Sequence, residues 1–502
     1  MVLEKHFSKD GKLLDQIQMM KLIEELDPIH DPLFSRRDDI SLSRLFAEIL
    51  KDHARYNTTS KEWFFYDGIT WKMDLQSLNL EQSAKIFGRC LEIYAINQRS
   101  ESEKQGESEG SSLYVDYYRK LGARANRKKL IEDSRDFYPV EANDFDRDPD
   151  LFNCQNCVIN LRTLETMDHS PDLLLSKVSN VVYDPSARSP DFEKFLSEIM
   201  IGDEGKIDYL KRIFGYSLTG ENTQEEAYLC YGSTTRNGKS TLLDTIGYMF
   251  GDYGMNIEPE SLAMRERNSR GASGDLARLN GCRFLHMSEP PKRMKFDVGL
   301  LKKLLGRDTL TVRHLYEREF QFVPVFKLLI NTNYLPIVAD DTIFSSGRLK
   351  VIPFDRHFDP EEQDIHLRRR LKSQTNISGI FNWCLDGLRE YQKDGEILLE
   401  PDPVQRATQE YREHSDKIAN FIEECLVRDP EKNVSAKDVY SAFTIWCREN
   451  GYGTEGKSNF LDELRAKDLL SKSGTVDGVT QKNVIKGYDI EYNLKREIYT
   501  IH

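Results

Sequence analysis

Apolar residues recur along this chain with two different periods, and the changes between them mark its parts. In residues 1–37, a charged opening segment, they fall at helical spacing from Leu13 to Leu26, which predicts one helix on an appendage. From Ser41 to Tyr56 the positions Leu42, Leu45, Phe46, Ile49 and Leu50 make one helix face apolar. Trp63 to Trp71 reads as a hairpin with Asp67-Gly68 at the turn. A polar break rich in Ser, Glu and Gly runs from Arg99 to Ser112 and predicts a loose loop. Arg119, Lys120, Arg124, Arg127, Lys128 and Lys129 follow at helical spacings. That stripe suits a solvated helix face first, and a contact with DNA or a partner second. Residues 38–190 are read as an α+β domain.

Residues 191–395 alternate apolar strands with helices, the pattern of an α/β nucleotide-binding domain. In residues 400–502 helical patterns at Lys417–Leu426, Ala436–Asn450 and Ser458–Leu469 precede strand character at Asn483–Ile501. Three helices and then a β-wing is the order of a winged helix, which predicts a domain binding DNA or a partner.

Composition narrows this picture. A chain of 502 residues with 39% hydrophobic content has ample material for several cores. It has no apolar run of about 18 residues, so no membrane crossing is expected, and Met1–His6 does not look like a secretory leader. The eight scattered cysteines suit reduced thiols and a cytoplasmic protein. The net charge of −13 argues against a protein that coats nucleic acid all over, yet allows a channel with a locally basic inner face.

The strongest chemical signal is Tyr228-Leu229-Cys230-Tyr231-Gly232-Ser233-Thr234-Thr235-Arg236-Asn237-Gly238-Lys239-Ser240-Thr241. An apolar strand runs into a loop, and Gly-Lys-Ser-Thr opens a helix whose free N–H groups can wrap phosphates. Ser233 through Thr241 are the candidate ATP-binding residues: Ser233, Thr234, Thr235, Arg236, Asn237, Gly238, Lys239, Ser240 and Thr241. Lys239 is placed on the β- and γ-phosphates and the Ser240 hydroxyl on Mg²⁺. Gly232 lies one residue too early for the standard spacing. Either the loop is one residue longer or Ser233 takes its first position.

Three further elements follow in order. Phe284-Leu285-His286-Met287 ends at Ser288-Glu289, where a carboxylate can hold Mg²⁺ through water and polarise the attacking water. Many such sites carry two adjacent acids, and this one carries a single one. The apolar run Phe326–Ile330 ends in Asn331-Thr332-Asn333. Asn331 is the first choice for a residue that orients water near the γ-phosphate, and Asn333 the second. Arg348 precedes the strand Leu349–Phe354 and could reach the γ-phosphate of a neighbouring subunit.

These elements, in this order between residues 232 and 348, resemble the superfamily 3 helicases, in particular the helicase halves of phage, satellite-phage and poxvirus primase–helicases. Leu151-Phe152-Asn153, Val158–Thr163, Tyr183-Asp184-Pro185, Phe214–Gly220 and Ser378–Trp383 look like the segments that flank the motor in that family, so the likeness spans roughly residues 40–400. The resemblance implies an AAA+-like ATPase ring, a hexamer, that moves on single-stranded or forked DNA during replication of a phage or other mobile element in a bacterial cell. A separate primase or other replication protein would be its partner. It also implies that a hairpin before the Asn strand grips DNA. Thr309–Val323 fits that hairpin, with Arg313, His314, Tyr316 and Arg318 as DNA contacts, although Glu317 and Glu319 on it repel phosphate. Residues 1–150 carry no zinc-ligand cluster or paired-acid motif, so unwinding without primer synthesis is expected. The alternatives are an ATP-switched initiator that does not unwind and a phage packaging ATPase; the tail pattern disfavours the latter. Cys154-Gln155-Asn156-Cys157 lacks a second ligand pair and reads as packing.

Overall fold

The structure, a computed structural model, describes residues 14–105, 111–264, 273–292, 294–313, 319–338, 342–450, 452 and 454–491. Two units separate by their internal contacts: residues 1–336 with 347–404, and residues 337–346 with 405–502.

The front of the first unit is built from helices Gln16–Leu26, Asp39–Leu50, Leu78–Gln105, Ser111–Arg119 and Arg124–Asp133. Asp15 caps the first in a reciprocal pair with Gln18, and Asp38 caps the second through Ser41 N–H, so each starts where its apolar stripe starts. Leu45, Phe46 and Ile49 bury against Phe87 and Leu91, with the Phe46 and Phe87 rings 5.0 Å apart. A four-stranded sheet lies in the same region, in the order Trp71–Met73, Glu62–Tyr66, Ala54–Asn57, Pro139–Val140. The hairpin read from Trp63–Trp71 is present. Tyr66 pairs with Trp71, Asp67 accepts from the Ile69 and Thr70 amides, and Gly68 turns the chain at φ 99°.

The polar break expected as a loose loop is instead helical as far as Gln105, while residues 106–110 lie outside the described ones. Arg, Gln, Glu and Lys are good helix formers, and Arg99 pairs with Glu103 one turn on, so polarity alone did not end the helix. The basic stripe is largely engaged within the chain. Arg119 pairs with Glu92 and Asp116, Lys129 with Asp39, and Arg127 donates to the carbonyls of Leu121 and Gly122.

The centre of the unit is a five-stranded sheet, parallel throughout. Its strands are β1 (Ala227–Tyr231), β2 (Gly254–Ile257), β3 (Phe284–Met287), β4 (Lys327–Thr332) and β5 (Leu349–Pro353), and the spatial order is β5-β1-β4-β3-β2. Helix α1 (Lys239–Phe250) crosses from β1 to β2. The strands read as unbroken apolar runs because helices cover both faces. One layer is formed by helices Pro190–Ile199, Glu204–Ser217 and Gln374–Lys393, whose Phe192, Phe195, Phe214, Ile377 and Phe381 join Tyr228, Leu242 and Ile352 in one core.

Two buried cations brace the N-terminal ends of β3 and β4. Arg283 donates to the carbonyls of Leu218 and Leu151 at 2.6 and 2.9 Å, with its guanidinium 4.8 Å from the Tyr253 ring centre. Lys327 donates to Thr219 O at 2.8 Å and lies 4.2 Å from the Tyr216 ring centre. Both charges meet the carbonyl end of helix Glu204–Ser217, where a cation is favourable. Burial nevertheless pushes the Lys327 ammonium well below the ordinary lysine range.

The hairpin expected at Thr309–Val323 is seen at its base. Leu310–Arg313 pairs antiparallel with Glu319–Phe322, and residues 314–318 lie outside the described ones. Cys154 and Cys157 bracket the turn between strands Leu151–Asn153 and Val158–Asn160, where Cys154 is buried and Cys157 half-buried.

In the second unit helix Lys417–Cys425, strand Leu426–Ser435, helices Ala436–Glu449 and Lys457–Ala466, and strands Leu470–Val476 and Val479–Ile490 follow one another. The last strand lies at the centre of the three-stranded sheet. Phe421, Phe443, Trp446 and Phe460 form its core. The first strand was not legible in the sequence, because its middle, Arg428 to Lys432, is charged and contains Pro430. The pairing slips between Arg428 and Asn433 at that point. The strand expected as far as Ile501 is described only to Ile490. Among the described residues no helix is long and apolar enough to cross a membrane.

Candidate functional site

The site forms where β1, β3 and β4 end side by side. After Tyr231 the chain enters the loop 232–238 and then α1, whose first residue is Lys239. Both glycines that flank the loop are required by space. A Cβ on Gly232 would lie 2.3 Å from Asn237 Nδ2 and 2.6 Å from Phe354 O. Gly238 has φ 83°, and a Cβ there would lie 2.4 Å from Ile199 Cγ2. The loop is one residue longer than the standard spacing, with Gly232 at its base and Arg236 in the left-handed region at φ 57°.

The loop is tied from outside and open inside. Asn237 Nδ2 donates to Thr234 O at 2.7 Å, His357 Nδ1 lies 2.8 Å from Thr235 O, and Phe358 N donates to Arg236 O at 2.9 Å. Among the described residues, none of the backbone N–H groups of 233–237 donates within the chain. With the free amides of the first turn of α1 they form a cluster of outward donors, the physical basis of phosphate binding. Ser233 to Arg236 are exposed.

Lys239 is 2% exposed. Its ammonium donates to Gly232 O at 3.3 Å and Asn333 Oδ1 at 2.7 Å. Asn333 Nδ2 in turn donates to Glu289 Oε1 at 2.9 Å, so Lys239, Asn333 and Glu289 form one hydrogen-bonded line. Burial pulls the Lys239 ammonium down to about 8, against the pull of Cys230 and Glu289. Asn331 Nδ2 donates to Ser240 Oγ at 3.0 Å, while Asn331 Oδ1 is buried without a partner. The Ser240 hydroxyl, that unpaired amide oxygen and the exposed Glu289 carboxylate are all oxygen donors. They fit a hard cation such as Mg²⁺ that keeps part of its water shell.

The structure thus brings Lys239, Ser240, Glu289 and Asn331 together, and adds Asn333, the second choice from sequence, as the direct link between Lys239 and Glu289. Arg348 is elsewhere. It precedes β5, whose Leu349 pairs with Ala227 at the start of β1, while Pro353 pairs with Tyr231 at the loop end. At ~3.3 Å per residue it is roughly 13 Å or more along the strand from its own loop. There it donates to Lys302 O at 2.9 Å and Glu225 Oε2 at 2.5 Å. Arg313 is exposed on the hairpin base; His314, Tyr316 and Arg318 lie outside the described residues.

Sequence reasoning missed Arg368 and Lys206. Arg368 Nε donates to Thr241 Oγ1 at 3.2 Å and its Nη1 lies 3.1 Å from Asp244, both on α1. Lys206 is buried and donates to Pro353 O at 3.2 Å, which braces the end of β5 beside the loop. Neither belongs to a local motif, and each reaches the site from a helix distant in sequence.

Comparison with known proteins gives three family matches: "D5 N terminal like" over residues 43–201, a family of unknown function over 230–348, and "Poxvirus D5 protein-like" over 413–495. Among individual relatives, "Putative helicase L207/L206" of Acanthamoeba polyphaga mimivirus is 26% identical over 80% of this chain and 44% of its own length. "Putative helicase 022R" of Frog virus 3 is 28% identical over 55% of this chain and 30% of its own length, and "Putative helicase 121R" of Invertebrate iridescent virus 3 is 25% identical over 67% and 39%. The chain therefore spans less than half the length of these relatives. The solved apo C-terminal region of NrS-1 aligns with a TM-score of 0.49 at 11% identity, covering 90% of this chain and 100% of that one. The phage and bacterial setting expected from sequence has no counterpart in the three named relatives, which belong to viruses of eukaryotes. At its front and tail the chain matches the D5 models, and over most of its length it resembles proteins named as putative helicases of large DNA viruses.

Proposed function

We propose that this chain is an ATP-driven DNA helicase subunit of the D5 type, working as a ring, a hexamer, on single-stranded or forked DNA during replication of a viral or other mobile genome. The observation that carries this reading is the Lys239–Asn333–Glu289 line beside the loop of free amides, set at the ends of adjacent parallel strands. The strand order β5-β1-β4-β3-β2 supports an AAA+-like motor, and the helix–strand–helix–helix–strand–strand order of 417–490 supports a winged-helix tail.

In this reading the amides of 233–241 wrap the triphosphate and Lys239 neutralises the β- and γ-phosphates. Ser240, Asn331 and Glu289 would hold Mg²⁺, which when bound screens the charge shared by the phosphate oxygens. Glu289 accepts the hydrogen bond of the attacking water, and Asn333 fixes that carboxylate relative to Lys239. Arg348, pointing away from its own loop, serves the site of an adjoining protomer.

A strand-displacement assay on a forked substrate tests the whole. ATP-dependent unwinding by the parent, lost in Lys239→Ala, is the expected result. DNA-stimulated ATP hydrolysis with no displacement of any strand would replace the helicase with an ATP-switched initiator. No nucleotide turnover at all would end the motor assignment.

A further inference from the structure

Many cations on this acidic chain have a carboxylate or carbonyl partner: Arg162 with Asp150, Arg212 with Asp208 and Asp394, Arg348 with Glu225. Lys61, Arg147 and Lys177 are among those without one, and they share a site. Among the described residues none of these three side chains has a hydrogen bond or ion pair, and all three line one cavity of about 1110 Å³ in the first unit. They come from three different segments: the turn before strand Glu62–Tyr66, the loop that follows Phe145, and the extended stretch after Leu175. Lys61 and Arg147 are exposed and Lys177 is half-buried, and three unpaired cations in a protein of net charge −13 leave the cavity open to an anionic ligand.

The walls of the same cavity are aromatic. Phe64 and Phe145 stack with ring centres 4.9 Å apart, and both are half-buried. Across from them the hairpin strand Glu319–Phe322 supplies Phe320, half-buried and 6.2 Å from Phe322. Gly281 and Arg283 also line it, at the N-terminal end of β3 and so at the opposite end of the sheet from the loop 232–238. The cavity thus joins the front region to the base of the hairpin and is separate from the nucleotide site.

We infer that this cavity binds single-stranded DNA, with Lys61, Arg147 and Lys177 on phosphates and Phe64, Phe145 and Phe320 against bases. The inference rests on the DNA-motor reading and adds a second, front-side contact to it. Cations and aromatic rings lining one cavity suit a single strand, because every base offers a face for stacking and every step a phosphate. A duplex keeps its faces stacked internally and offers none to these rings. Two acids limit the attraction. Asp146 is committed to Ser176, whose backbone N and hydroxyl both donate to it, and Glu319 stands on the hairpin side.

The test uses the full chain with a non-hydrolysable ATP analogue and a fluorescein-labelled oligothymidylate, followed by anisotropy across a salt series. The combined variant Lys61→Gln, Arg147→Gln, Lys177→Gln is expected to bind about tenfold or more weakly. Its salt slope should fall by about 2, since each phosphate contact on a single strand contributes roughly 0.7. Its DNA-independent ATP hydrolysis should be unchanged, and the control Lys21→Gln, Lys85→Gln, Lys194→Gln should bind as the parent does. Equal affinity and slope for parent and cavity variant would overturn the site while leaving the DNA reading intact. A parent that binds no oligothymidylate at any salt would overturn both. Independently of any variant, photo-cross-linking of the parent to bromodeoxyuridine DNA should label peptides that hold Phe64, Phe145 or Phe320; labels confined to other segments would equally overturn the site.

Discussion

A lysine buried before its anion arrives is an expensive arrangement, and Lys239 carries the mark of it. Burial holds its ammonium near 8 while it leans on Gly232 O and Asn333. A triphosphate would supply the opposite charge and raise that value towards or beyond the ordinary one of 10.5. Nucleotide binding should therefore take up a fraction of a proton from about pH 8 upward, and none well below pH 8, where the lysine is already charged. Calorimetry in buffers of different ionisation heat checks this, with Lys239→Ala showing neither uptake nor turnover. The two asparagines should also separate. Asn333→Ala breaks the link from Lys239 to Glu289 and should lower kcat about 100-fold, whereas Asn331→Ala should chiefly raise the Mg²⁺ concentration needed for turnover. Lys239, Ser240 and Glu289 were legible from sequence because each sits at a fixed offset from a strand end. Ranking the asparagines was not possible, since residues two apart share a side of an extended chain. Only the end of β4 pairing at Thr332 sends Asn331 to Ser240 and Asn333 to Lys239.

At the scale of elements, helix Glu204–Ser217 and helix Gln374–Lys393 meet backbone to backbone. A Cβ on Gly215 would lie 2.3 Å from Leu388 N, and one on Gly387 would lie 2.1 Å from Lys211 O. Neither gap can be relieved by turning a side chain, because backbone atoms close both. Gly387→Ala should therefore cost about 1–3 kcal/mol by overpacking and lower the thermal midpoint by several degrees, as read by a calorimetric melt. An unchanged midpoint would show that the helices separate without cost. Helices with regular apolar stripes, such as Asp39–Leu50 and Ala436–Glu449, were readable in advance. The helical stretch Arg99–Gln105 and the strand Leu426–Ser435 were not. Their polar sequences leave the outcome to neighbours: the helix already under way from Leu78, and the strand Val479–Ile490 that offers its edge.

For the whole molecule, the position of Arg348 sets the sharpest expectation. Lying at the far end of β5 from its own loop, it contributes to hydrolysis only if copies abut. Arg348→Ala should then lower kcat by about 10³ with little change in nucleotide affinity. Mixing it with Lys239→Ala should restore part of the rate, because some interfaces in the mixed ring regain both groups. Sedimentation with an ATP analogue should show assemblies larger than the single chain. A protein fully active as a monomer would remove the arginine from the mechanism and leave a lone ATPase.

The glycine-flanked loop 232–238 ahead of α1 and the alternation of strands and helices were determined by the sequence alone, because both depend on local rules: period, turn residues, and the need for free amides ahead of a helix. Tertiary structure decided the rest. It chose between Asn331 and Asn333 for the contact with Lys239, brought Arg368 and Lys206 to the loop, and set Arg348 apart from it. It also gathered Lys61, Arg147 and Lys177 around one cavity. Those outcomes depend on which residues far apart in the chain come to share a space, and that is settled by the packing of the sheet and its covering helices, to which no short stretch of sequence has access.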